Sequence, residues 1–115
     1  MESIKLKTMC ELLDVSRRCI QGYEHKGLMR PTGKNKYGHL LYDENTLRRA
    51  EMIRFLQQLG FSLEEIKEII DAPNIVVKEA LERRVKELES KKDHMDRIVQ
   101  KAKEYIEKLS REDNT

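Results

Sequence analysis

A chain of 115 residues with 38% hydrophobic residues and no Trp has room for one small domain plus an appended element. The net charge is +2, but residues 1–60 carry 11 Lys/Arg against 7 Asp/Glu, and residues 61–115 carry 12 against 14. No apolar run approaches the length of a membrane span, and Met1 to Thr8 has no apolar signal region, so the expectation is a cytoplasmic protein without a membrane contact.

The first element is predicted from Thr8-Met9-Cys10-Glu11, read as a capping box opening a short helix to Leu13, with Met9, Leu12 and Leu13 on one face. Asp14-Val15-Ser16 is a tight turn. Ser16 caps a second helix over Arg17 to Lys26, which Gly27 ends in the left-handed conformation. Two short helices so joined form a helix-turn-helix. Pro31, Gly33 and Gly38 exclude a helix over Leu28 to Tyr42. There Leu28-Met29-Arg30 and His39-Leu40-Leu41-Tyr42 are expected to pair as strands around a basic tip, forming a β-hairpin wing.

Asp43 caps a third helix to Leu59, stopped at Gly60, with Leu47, Ala50, Phe55, Leu56 and Leu59 as its apolar face. Ser62-Leu63-Glu64-Glu65 is a second capping box, opening a fourth helix with Leu63, Ile66, Ile69 and Ile70 inward. Ala72-Pro73 breaks it, and Asn74 is read as a fresh cap. Ile75 to Leu109 has neither Gly nor Pro. Steps of four and three pick out Leu81, Val85, Leu88, Lys92, Met95, Val99, Ala102, Ile106 and Leu109, all apolar but Lys92. This heptad seam, on a helix about 52 Å long at 1.5 Å per residue, needs a second helix to bury it and predicts a homodimeric coiled coil. Lys92 lowers stability but can fix register. The fold expected is mainly α: a winged helix-turn-helix head over 1–73, a coiled-coil dimerisation helix over 74–110, and a disordered tail over 111–115.

Residues 16–42 hold Arg17, Arg18, Lys26, Arg30, Lys34 and Lys36 against the single acid Glu24, which points to a polyanion. A helix fits the major groove of double-stranded DNA, where Arg bridges guanine O6 and N7 and Gln bridges adenine N6 and N7. Arg17, Arg18 and Gln21 sit near the start of the second helix, where base contacts are expected, and Ser16 with the helix N-terminus suits a phosphate. Lys34, Lys36, Tyr37 and His39 of the wing are expected on the DNA backbone, and Tyr23 is expected to turn its hydroxyl to that backbone from a partly buried ring. Tyr42 is read as core. Cys10 and Cys19 are read as small core or boundary side chains, since no CxxC and no His at zinc spacing accompany them. No phosphate loop, nucleophile elbow or metalloprotease motif occurs, so neither catalysis nor a cofactor is expected.

In order along the chain, Val15-Ser16-Arg17-Arg18 with Ile20, Tyr23-Glu24, Gly27-Leu28 with Pro31, Gly38 with Leu41-Tyr42, Ile53-Arg54-Phe55-Leu56, and Leu59-Gly60-Phe61-Ser62-Leu63-Glu64-Glu65-Ile66 through Ile70 make the sequence resemble the MerR family of bacterial transcription regulators. The resemblance covers about residues 4–71. It implies a dimer through an antiparallel two-helix coil, an inverted-repeat operator, and bending or twisting of promoter DNA that realigns it for RNA polymerase. Gln21-Gly22 stand where the family usually has Arg-Tyr, and Gly38-His39-Leu40-Leu41-Tyr42 where its wing usually ends Gly-Tyr-Arg-x-Tyr. Phosphate clamping is then expected to move to Lys34 and Lys36. The chain resembles a short member without a C-terminal effector domain, and no effector site is identifiable. The competing readings are an excisionase-like architectural DNA-bending protein and a coiled-coil adaptor that binds protein.

Overall fold

The computed structural model describes residues 2–113. The element order is β1 (Ile4–Lys5), α1 (Leu6–Leu13), α2 (Arg17–His25), β2 (Gly33–Lys34), β3 (Leu40–Tyr42), α3 (Glu44–Gln58), α4 (Leu63–Ile69) and α5 (Asn74–Asp113). The chain divides into two compact units between Pro73 and Asn74.

Local chemistry explains most helix ends in the first unit. Ser16 accepts from the Cys19 N–H at 3.2 Å and Asp43 from the Thr46 N–H at 2.9 Å, each satisfying a donor that the helix itself leaves orphaned. Ser62 and Glu65 form the reciprocal capping box predicted for them. Gly27 and Gly60 follow α2 and α3 at φ 75° and 102°, where a Cβ would be strained. The opening of α1 differs from expectation. The helix begins two residues earlier than Thr8, its N-cap is Lys5, and no side chain caps it. Thr8 and Glu11 lie within the helix. Asp14 ends α1 in the left-handed conformation, and the Val15 N–H closes the turn on the Cys10 carbonyl.

The wing pairs differently from the predicted hairpin. β3 is the centre of a three-stranded antiparallel sheet in the order β1-β3-β2, with Ile4 opposite Tyr42, Lys5 opposite Leu41, and Lys34 opposite Leu40. Leu28-Met29-Arg30 form no strand. Leu28 and Met29 are apolar because they are core residues, exposed only 1% and 6%.

The core gathers Met9 of α1, Ile20 and Tyr23 of α2, Tyr42 of β3, Leu47, Ala50, Ile53 and Leu56 of α3, and Ile66 of α4. Burial of such side chains contributes about 25 cal/mol per Å² of apolar area. Two expected inward residues face out: Leu12 and Phe55 are exposed. Ile53 takes the inward place on α3, and around Ile66 the residues Leu63, Ile69 and Ile70 are half-buried.

In the second unit, α5 runs for 40 residues, about 60 Å at 1.5 Å per residue. Asn74 is its first residue rather than the residue before it, and Arg111 to Asp113 continue the helix into the segment expected as a tail. Residues 114 and 115, the rest of that expected tail, lie outside the described residues. No helix among the described residues is long and apolar enough to cross a membrane.

Candidate nucleic-acid interface

α2 carries the first group of candidate residues. Its inward face buries Ile20 and Tyr23, which leaves Arg17, Arg18 and Gln21 exposed beside the capping Ser16. Tyr23 is corrected by the geometry. Its ring is buried and its hydroxyl donates to Gln57 Oε1 of α3 at 2.5 Å while accepting from the Cys19 thiol at 3.3 Å. The hydroxyl is therefore engaged inside the head, and Tyr23 positions α2 rather than facing outward. Burial, reinforced by the Cys19 contact, pushes the Tyr23 phenol above its ordinary range, so it remains a neutral hydrogen-bonding group.

Three further ties hold α2 and the segment that follows it. Tyr42 of β3 donates to Glu24, and burial followed by this hydrogen bond also pushes the Tyr42 phenol upward. Lys26 pairs with Glu64 at 2.6 Å, which draws the Glu64 carboxyl below its usual range. Arg49 of α3 donates to the Leu28 carbonyl just past α2 and grips both oxygens of Asp71, at 2.7 and 2.8 Å. That fork is the bidentate geometry suited to a guanidinium and a carboxylate. None of these ties was read from the sequence, because their partners are 18 to 38 residues apart.

The wing tip is built on Asn35, which sequence reasoning also missed. Its side-chain oxygen accepts from the N–H groups of Tyr37 and His39 at 2.9 and 3.0 Å. Gly38 at φ 82° lets the chain double back, and its N–H meets the Asn35 carbonyl at 3.0 Å. An Asn that bonds its own backbone neighbours is a signal for such a turn. The turn leaves Lys34, Lys36, Tyr37 and His39 exposed, with the Lys36 ammonium 5.2 Å from the centre of the Tyr37 ring. A groove of about 400 Å³ brings Arg17 together with Gly38 and His39 of the wing, and adds Lys5 and Lys7.

Cys10 and Cys19 are free and half-buried, and burial, partly offset by Arg17, pushes the Cys10 thiol up. Among the described residues, no group of three or more His, Cys, Asp or Glu is arranged to hold a metal ion.

The second candidate surface lies wholly on α5, where no side chain is buried. Leu81 and Leu88 are half-buried; Val85, Lys92, Met95, Val99, Ala102, Ile106 and Leu109 are exposed. Ile98 and Tyr105 are exposed too and flank Val99 and Ile106 by one position, so the apolar stripe is wider in its second half than the strict seam.

Comparison with known proteins agrees with this arrangement. The family description "MerR HTH family regulatory protein" matches residues 4–73, and "MerR, DNA binding" matches residues 47–103. The HTH-type transcriptional activator mta of Bacillus subtilis is 35% identical over 96 residues, covering 84% of this chain and 37% of the relative. The crystal structure of the N-terminal part of that activator superposes with a TM-score of 0.69 at 33% identity, covering 90% of this chain and 97% of the other. HiNmlR, a MerR family regulator lacking the sensor domain and solved bound to promoter DNA, shares the fold at a TM-score of 0.66 and 18% identity, over 85% of this chain and 82% of the other. The chain spans 23% to 47% of the length of these curated relatives. It belongs to the MerR family of helix-turn-helix regulatory proteins.

Proposed function

We propose that the chain is a sequence-specific DNA-binding transcription regulator that acts as a homodimer on an inverted-repeat site. The observation that carries this reading is the division of α2: Ile20 and Tyr23 are fixed in the core, while Arg17, Arg18 and Gln21 stand free in solvent beside a basic wing tip. An exposed helix start bearing Arg and Gln suits base edges in the major groove, and Lys34, Lys36, Tyr37 and His39 suit the flanking phosphates. Membership of the family and the promoter-bound regulator of like fold support the same reading.

The dimer is proposed from α5. Of its apolar heptad positions Leu81 and Leu88 are half-buried and the rest exposed, and a second copy of the same helix buries them, in the antiparallel sense that the family resemblance implies. A twofold pair of heads reads a site with matching symmetry. Bending or twisting of promoter DNA, with RNA polymerase as the downstream partner, in the cytoplasm and without catalysis, completes the proposal. Selection from random duplexes followed by hydroxyl-radical footprinting tests it. The expected result is an inverted repeat with two protected half-sites and a distorted centre; recovery of sequences with no consensus overturns it.

A further inference from the structure

The groove between the start of α1, the start of α2 and the exit of the wing joins three elements that are distant in sequence. Lys5, Lys7, Arg17 and His39 line it with the backbone of Gly38, and no carboxylate is among its lining residues. Lys5 is fixed in β1 opposite Leu41, where the strand alternates Ile4 half-buried and Lys5 exposed. Lys7 is exposed in the first turn of α1, which contains no acid. Arg17 is the first residue of α2, and Asn35 holds the His39 backbone in place. The cleft, of about 400 Å³, gathers Lys5 of β1, Lys7 of α1 and Arg17 of α2.

We propose that this groove seats one phosphodiester of the DNA backbone, held by Lys5, Lys7 and Arg17. The proposal rests on the DNA-binding reading and deepens it. It divides the labour of two adjacent arginines: Arg17 anchors the backbone and fixes how deeply α2 enters the groove, while Arg18 remains for base edges. Phosphate contacts set register and orientation without carrying sequence information. Each cation that neutralises a phosphate releases counterions, so its loss shows as a shallower dependence of affinity on salt.

The test uses the full chain, a duplex obtained by selection and a scrambled duplex of equal length. In the double variant Lys5→Gln/Lys7→Gln, affinity for both duplexes falls by a similar factor. The slope of log affinity against log salt falls by about one for each lysine that contacts a phosphate. Lys5→Arg/Lys7→Arg retains the slope. Arg17→Ala lowers affinity for both duplexes alike. Because these positions are exposed, circular dichroism of the variants is expected to match that of the unaltered chain. Amide shifts at Gly38 and His39 appear with the duplex and not with millimolar inorganic phosphate. An unchanged salt slope in the Gln variant, a loss confined to the selected duplex, or shifts with inorganic phosphate alone overturns the phosphate seat while leaving the DNA reading intact. Failure of the unaltered protein to bind either duplex overturns both.

Discussion

The Tyr42 hydroxyl donates a hydrogen bond to the Glu24 carboxylate, tying the central strand of the wing to the outer helix of the helix-turn-helix. The bond is charge-assisted and Tyr42 is fully buried, so it has more weight than a neutral surface contact. Tyr42→Phe is expected to destabilise the protein by about 1.5 kcal/mol, read by urea unfolding of the full chain at fixed protein concentration. Equal stability of the two proteins would show that the bond does not hold the wing to α2.

The same bond predicts an alkaline limit. Both Tyr42 and Tyr23 have phenols raised above the unfolded value by burial. Their contribution is therefore fully present below the unfolded tyrosine pKa of about 10 and is lost as pH rises from there toward the folded values. Unfolding free energy is expected to fall above about pH 10, and less steeply in the Tyr42→Phe variant. Identical slopes in the two proteins would contradict the assignment.

Two glycines of the recognition segment are expected to respond to Ala with opposite signs. Gly22 lies inside α2, and an added Cβ there has nothing within 4 Å, so Gly22→Ala stabilises by roughly 0.5–1 kcal/mol. Gly27 has φ 75° and an added Cβ 3.3 Å from the Lys67 ammonium, so Gly27→Ala destabilises by about 1–2 kcal/mol. Thermal melts of the two variants check both signs.

Arg18 and Lys36 separate reading from holding. Arg18→Ala is expected to cost about 1–3 kcal/mol on the selected duplex and much less on a scrambled one. Lys36→Ala lowers affinity for both and reduces the salt slope by about one. Fluorescence anisotropy at several salt concentrations measures both. Equal losses on the two duplexes for Arg18→Ala would remove its base-reading role.

How much of this was legible in the sequence depended on distance along the chain. Ser16, Asp43 and Ser62 cap helices through donors three residues away, and Gly27 and Gly60 mark the ends, so α2, α3 and α4 could be placed from local chemistry. The start of α1 could not, because Lys5 offers no capping oxygen and Thr8-x-x-Glu11 mimics a cap inside the helix. β1 and β2 are two residues each, and β2 is Gly33-Lys34, fully exposed and without strand propensity. Of the candidate site, the exposed cations of α2 and the wing were readable as charge. Tyr23 and Glu24 were not, since their partners Gln57 and Tyr42 come from other elements. Lys5 and Lys7 were not either, since they meet Arg17 and the wing in one groove only in the folded head, where β1 pairs with β3.

Leu88 is half-buried on α5 in the first half of the apolar stripe. Leu88→Asp places a charge in the interface that a second helix would dehydrate, at a cost of several kcal/mol. The expected outcome is a monomer that keeps the far-ultraviolet signature of a folded head but loses binding to the selected duplex. Dimers that persist after this change would place the interface elsewhere.

The most direct measurement is the mass of the complex between the unaltered chain and its selected duplex, by analytical ultracentrifugation near physiological salt. Two chains on each duplex, with the same pair present before DNA is added, is the result expected. One chain on each duplex, or protein and duplex sedimenting apart, would contradict a paired regulator.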